Sequence, residues 1–344
     1  MEDLKIWQFS NLKIWQFEDL KMMDALIDSV KFELFNFQIF KSTNFQIKSM
    51  NIELEIFSPV HQIKDKLFDE QDLKVFIKRD DLIHPIISGN KWRKLKYLLK
   101  QAQAENKSHL VTFGGAYSNH LLATAAAAAK FGFKSTGIVR GEAVNNDTLF
   151  LCRLHGMNLL FTDRESYRDK PALFSKHFAE DEQAFFIDEG GASAEGAKGC
   201  SELIDELTET YDHIFCACGT GTTAAGIING IEKRQLSIQF HAVPVFKNGD
   251  FIKDEISRFL TIPENYHLHT GYHFGGYGKA DNTLIDFVKQ FVAATGILIE
   301  PVYTGKMLYA IYDLAAKNYF APGSRILAIH SGGIWGLLGM KDRF

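Results

Sequence analysis

Short apolar runs recur along the chain between stretches of helical spacing, and this alternation restricts the fold more than any other feature. The runs VFIKR at 75–79, LVTF at 110–113, TGIV at 136–139, LLFT at 159–162, AFFI at 184–187, IFCA at 214–217, AVPV at 242–245 and ILAI at 326–329 read as strands. Helices are expected from Lys91 to Ala104, where Leu95, Leu98 and Leu99 share a face, and over 118–130, 199–210 and 223–232. Apolar strands alternating with helices predict an α/β protein with parallel sheets covered by helices, because a parallel pair needs a crossover. In such sheets the loops at the carboxyl ends of strands hold ligands. Four glycine-bearing loops meet that rule: 88–91, 114–120, 218–223 and 330–333.

Composition narrows the function classes. With 344 residues, 46% of them hydrophobic and 23% charged, the chain reads as globular, with two or three domains at roughly 100–200 residues each. A net charge of −4 gives no basic face, so neither nucleic acid nor an anionic membrane is an expected partner. No apolar stretch reaches the roughly 18 residues of a membrane helix. Four cysteines in a chain of this length make no disulfide scaffold, and a reducing, cytoplasmic setting is expected. Residues 1–49 stand apart. LKIWQF occurs at 4–9 and 12–17, and NFQI at 36–39 and 44–47. These eight-residue repeats are too short to build a stacked core, and Glu2 and Asp3 do not fit a signal peptide. The segment reads as an extension of unknown role, with Met50 as the natural beginning of the protein; the other reading is an aromatic partner-binding segment.

Three of the loops carry recognisable chemistry. CGTGTTAAG at 218–226 follows a strand and opens a helix. Gly219 and Gly221 let backbone N–H groups converge at the helix N-terminus, and Thr220, Thr222 and Thr223 add hydroxyls, which makes an anion cradle for a phosphate. It lacks the lysine of a P-loop, and a plain tight turn is the bland alternative. SGNKWRKL at 88–95 puts Lys91 at a helix start, where the dipole disfavours a cation and a lowered amine pKa suits imine formation. Lys94 shares its face and is placed to reach an anion; a solvated surface lysine is the ordinary reading of Lys91 alone. In FGGAYSNH at 113–120, Ser118 is an N-cap that can also offer its Oγ to a carboxylate, and Asn119 can give its amide to an aromatic hydroxyl.

These loops in this order resemble the fold-type-II pyridoxal-phosphate enzymes of the tryptophan synthase β-like superfamily. More narrowly, the chain resembles the 1-aminocyclopropane-1-carboxylate deaminase/D-cysteine desulfhydrase family. The likeness runs from Met50 to the C-terminus through KRDD (78–81), GNKWRKLKY (89–97), GAYSNH (115–120), GTGTTAAG (219–226), YG (277–278), PVYTGK (301–306) and HSGG (330–333). It implies a two-domain enzyme with pyridoxal 5'-phosphate in the cleft. Residues 50–94 and 206–344 would form the larger domain and 95–205 the smaller, and a homodimer is expected. It implies that Lys91 carries the cofactor as an imine and that the 219–223 loop cradles its phosphate. Ser118 would contact the substrate carboxylate and Asn119 the ring hydroxyl, while Tyr277 and Tyr303 line the active site.

Thr304 discriminates between activities. The ring-opening deaminases that this chain resembles carry glutamate there, facing the pyridine nitrogen, whereas the desulfhydrases carry threonine. A hydroxyl makes a weaker electron sink than a carboxylate, which suffices for a substrate with a good β-leaving group. The resemblance with Thr304 therefore implies a lyase that eliminates sulfide from D-cysteine to give pyruvate and ammonia. Ring opening of 1-aminocyclopropane-1-carboxylate and racemisation or β-replacement of a small amino acid are the alternatives, and a nucleotide-binding module is the non-enzymatic one. Lys91, Tyr277 and Ser118 all stand as acceptors for the α-proton. Tyr117 and Leu121–Leu122 depart from the family's pattern around SNH and alter the wall that reads the substrate side chain. His267, His269 and His273 lack a cysteine or carboxylate at ligand spacing, so no metal is expected. Cys216 and Cys218 read as packing. His120 reads equally as a support to the site or as a satisfied core histidine, and 188–193 as a closing turn whose glycines could border the cleft.

Overall fold

Strands form where the apolar runs predict them, and their loops come together at one end. The computed structural model describes residues 51–263 and 265–344, so the repeats and the reading of the N-terminal extension lie outside the described residues. In chain order the elements are β1 (Val60–Ile63), α1 (Lys66–Glu70), β2 (Lys74–Lys78), α2 (Asn90–Ala104), β3 (His109–Gly115), α3 (Asn119–Phe131), β4 (Lys134–Arg140), α4 (Asp147–Leu154), β5 (Asn158–Thr162), α5 (Lys170–Phe178), β6 (Ala184–Ile187) and α6 (Ala194–Asp205). There follow β7 (His213–Cys218), α7 (Thr222–Lys233), β8 (Gln239–Pro244), α8 (Ile252–Ser257), β9 (His267–Leu268), α9 (Asn282–Thr295), α10 (Thr304–Ala316) and β10 (Arg325–Ile329).

Two sheets result. Strands β5-β4-β3-β6 form a wholly parallel four-stranded sheet, and β1-β2-β10-β7-β8-β9 a six-stranded one. The larger sheet departs from an all-parallel arrangement at one edge, where β1 runs antiparallel to β2 with Val60 opposite Lys78. Its central strands are buried on both faces, and the period of two divides their side chains. Ile77, Phe215, Ala217 and Val243 pack towards α9 and α10, whereas Phe76, Ile214, Cys216 and Phe240 pack with residues of α6, α7 and α8. This is a two-domain fold-type-II α/β architecture, as expected.

One expected helix is displaced. The 199–210 stretch is helical only to Asp205, and the helix starts earlier, where the Ser193 Oγ accepts from the Gly196 N–H at 2.9 Å. Gly199, expected to open the helix, lies inside it. A Cβ there would collide with the Arg93 carbonyl of α2, so its role is close helix packing. The placement matters because α2 carries Lys91.

Candidate active site

A cavity of about 380 Å³ takes wall residues from all four glycine-bearing loops: Asn90 and Lys91; Ser118, Asn119 and His120; Gly219, Thr220, Gly221 and Thr223; and Ser331, Gly332 and Gly333. Gly89 makes the first of these convergences. It caps α2 at φ +59°, and a Cβ would run into the Ser331 carbonyl, which accepts from the Asn90 N–H at 3.2 Å.

Lys91 sits one residue inside α2, half-buried on the wall. Its Nζ donates to Asn90 Oδ1 at 2.6 Å, and Asn90 Nδ2 donates to Thr223 Oγ1 at 3.0 Å, so the amine is tied to the glycine–threonine loop. Burial, helped by the nearby Lys94 ammonium, lowers the Lys91 pKa to about 7. A large share of this amine is unprotonated at neutral pH, as nucleophilic attack on a carbonyl requires. Lys94 is buried and donates to the Gly190 carbonyl at 3.0 Å, and burial lowers its pKa too. Gly190 is on the wall, so the 188–193 turn does border the cavity.

Ser118 keeps its capping role, accepting from the Leu121 N–H at 3.3 Å, while also lining the cavity at the positive end of α3. His120 is not a satisfied core histidine. The Thr112 hydroxyl donates to the Ile187 carbonyl at 3.0 Å, so its oxygen accepts from His120 Nε2 at 2.8 Å. This fixes the tautomer and leaves Nδ1, buried and without a partner among the described residues, as an acceptor. Burial and the two lysines hold the imidazole neutral, well below its ordinary pKa.

Tyr277, 45% exposed, and Tyr303 both line the cavity and meet edge to face, ring centres 6.0 Å apart. Burial and the Tyr277 phenol push Tyr303 well above the usual tyrosine pKa. Two predicted residues are not on the wall. Thr222 is buried in the first turn of α7 with its Oγ1 3.4 Å from the Thr220 carbonyl, so it braces the loop from behind. Thr304 is fully buried at the start of α10, and its Oγ1 has no partner among the described residues.

Sequence reasoning missed several groups. Glu300 is a fully buried carboxylate that accepts from the N–H groups of Val302, Tyr303 and Thr304 at 2.6–3.0 Å. Burial pushes its pKa up, opposed by those bonds. The available signal was an acid just before a helix start, where the dipole favours negative charge. Arg140, Lys170, Asp188 and Glu189 also line the cavity, with Lys170 3.5 Å from Asp188. Among the described residues no three metal-ligating side chains are grouped to hold an ion.

The residues suit the expected cofactor. The cavity has the size of a small-molecule site, a lysine with a depressed pKa faces a glycine–threonine helix start, and the Nδ1 of His120, a wall residue, is left without a partner among the described residues. Comparison with known proteins agrees. The family model described as pyridoxal-phosphate dependent enzyme matches residues 57–332. A Thermotoga maritima protein named "Putative 1-aminocyclopropane-1-carboxylate deaminase" is 31% identical over 86% of this chain and 99% of its own length. An Arabidopsis thaliana protein, named as a bifunctional D-cysteine desulfhydrase/1-aminocyclopropane-1-carboxylate deaminase of mitochondria, is 31% identical over 78% of this chain and 75% of its own. The crystal structure of an ACC deaminase homologue superposes with a TM-score of 0.76 at 29% identity, over 86% of this chain and 95% of the other. A match over most of the chain, on the loops that build the cavity, makes it a member of the pyridoxal-phosphate dependent enzyme family, a fold-type-II enzyme related to the 1-aminocyclopropane-1-carboxylate deaminases and D-cysteine desulfhydrases.

Proposed function

We propose that the enzyme eliminates the β-substituent of a small amino acid, with D-cysteine as the substrate that the site favours. The broader class, pyridoxal-phosphate dependent elimination or deamination of a small amino acid, is that of its relatives. Bound in this cavity, the cofactor supplies an electron sink conjugated to the substrate's α-carbon. Lys91 would carry it, the 219–223 loop and Lys94 would hold its phosphate, Asn119 its ring hydroxyl and Thr304 its ring nitrogen. Ser118 and the N-terminus of α3 bind and orient the substrate carboxylate. The Lys91 amine, near neutrality, holds or releases a proton at Nζ, and the Tyr277 hydroxyl, backed by Tyr303, is a second group on the wall that can do so. The reading keeps residues 95–205 as the smaller domain, which the confinement of the four-stranded sheet to 109–187 supports. Four free, buried cysteines support a reducing, cytoplasmic setting.

Thr304 carries the choice of D-cysteine. The carboxylate bonded to its backbone, Glu300, has both oxygens engaged by backbone N–H groups, so neither is left for a ring nitrogen. The names of the relatives favour the second reading, ring opening of 1-aminocyclopropane-1-carboxylate. Product analysis of the purified enzyme with D-cysteine, L-cysteine, D-serine and 1-aminocyclopropane-1-carboxylate separates the two. Pyruvate and sulfide formed fastest from D-cysteine are expected. A four-carbon 2-oxo acid from the cyclopropane substrate, with no sulfide from D-cysteine, would reverse the assignment.

A further inference from the structure

Lys306 is a fully buried cation that the proposed reaction does not use. It lies in the first turn of α10, three residues after Tyr303, which caps that helix. Its Nζ donates to the carbonyls of His273 at 2.8 Å, Gly276 at 2.8 Å and Val245 at 3.4 Å. An ammonium has three protons, and each has an acceptor. Among the described residues Lys306 forms no ion pair; the buried Glu300 carboxylate adds a longer-range attraction, but every hydrogen bond that holds the ammonium goes to main chain, an expensive arrangement for packing purposes.

What those carbonyls precede explains the arrangement. Val245 leads directly into Phe246, and Gly276 into Tyr277. The two rings stack with centres 5.5 Å apart, both line the cavity, and Tyr277 meets Tyr303. The loop that carries Tyr277 has no regular structure. Phe274, Gly275, Gly276 and Gly278 all take positive φ, and no strand or helix fixes them. We propose that Lys306 is a positioning residue: by gathering these three carbonyls onto the helix that bears Tyr303, it sets Tyr277 and Phe246 in register with Tyr303 on the cavity wall. The catalytic consequence rests on the reading that the tyrosines act at the substrate; the positioning itself does not.

A double-mutant cycle with hydrogen exchange tests this on the holoenzyme. In Lys306→Met, exchange in the segment 271–278 without substrate is expected to quicken, and kcat to fall by roughly 10- to 100-fold, the scale of a misplaced active-site group. In a Tyr277→Phe background the same change is expected to add little, because its effect passes through Tyr277. Lys306→Arg is expected to restore part of the slow exchange. If the Met variant does not fold, Lys306→Gln, which keeps two donors, is read the same way. Unchanged exchange at 271–278, or kcat effects that multiply across the cycle, would overturn the proposal. A Tyr277→Phe variant with normal kcat would sink the tyrosine reading alone, and the exchange rate would then decide the positioning by itself.

Discussion

Thr304 is a buried hydroxyl without a partner among the described residues, and a group of that kind is a liability unless a ligand satisfies it. The two states of the protein therefore respond oppositely to its removal. In Thr304→Val the cofactor-free protein is expected to be as stable as the parent or slightly more so, since no hydrogen bond is lost. Cofactor affinity is expected to fall roughly 2- to 10-fold, the worth of one hydrogen bond. Denaturant melts of the cofactor-free forms and cofactor titration measure the two; a destabilised cofactor-free variant with normal affinity would mean that the hydroxyl has a protein partner instead. At this scale the sequence was informative wherever chemistry is local. Lys91 beside Gly89, Ser118 before an alanine helix, and the 219–223 loop are short patterns whose residue types imply their own geometry. The tautomer of His120 was not legible, because it depends on a hydroxyl that is itself committed to a carbonyl 75 residues further on.

At the scale of elements, α2 is anchored by buried charge. The Arg93 guanidinium bonds both oxygens of Asp80 at 2.6 and 2.7 Å and both of Glu206 at 2.8 and 3.0 Å, and Lys78 reaches Glu206 at 2.7 Å. Burial alone would raise the Asp80 pKa, but the guanidinium holds it below the ordinary value. Arg93→Met leaves the buried Asp80 carboxylate without its cation, while Glu206 keeps Lys78, and is expected to destabilise by about 3–5 kcal/mol, read by denaturation. A loss under about 1 kcal/mol, the ceiling for exposed pairs, would show the network to be solvated. A second element effect lies across β7, β8 and the end of β9. His213 and His241 bond at 3.0 Å and His241 and His269 at 2.9 Å, with His267 stacked on His241. Burial and then neighbouring imidazoles depress His241 to about 2; burial also leads in lowering His269 to about 4, and lowers His213. Unfolded histidine titrates near 6.5, so below that pH the unfolded chain binds more protons than the folded one. Stability is thus fullest above pH ~6.5 and declines as pH falls towards 4, by at most about 1.4 kcal/mol per pH unit for each histidine. Denaturant melts from pH 7.5 to 4.5 check this, and His241→Phe is expected to flatten the decline; a slope untouched by that change would place its source elsewhere. Neither network could be read beforehand. Helical and strand periods report which face is buried, but Arg93 meets Glu206 113 residues away, and the bonded histidines come from β7, β8 and the residue after β9. The same blindness shifted α6 by several residues, because nothing local marks Gly199 as a contact with α2.

For the whole molecule, the alternation of strands and helices was enough to anticipate parallel sheets and the loops at their carboxyl ends, while the division into two domains came from the family resemblance. Sheet order and the antiparallel edge at β1 were not anticipated, since pairing partners leave no local mark. The account depends on one proposed covalent attachment, that of the cofactor to Lys91. Borohydride reduction of the purified holoenzyme, followed by digestion and mass spectrometry, identifies the lysine that carries the cofactor. The account predicts loss of the visible absorption between about 400 and 430 nm, with the cofactor's mass fixed on Lys91 and absent from Lys91→Ala. A mark on Lys94, or none on any lysine of a coloured protein, would contradict it.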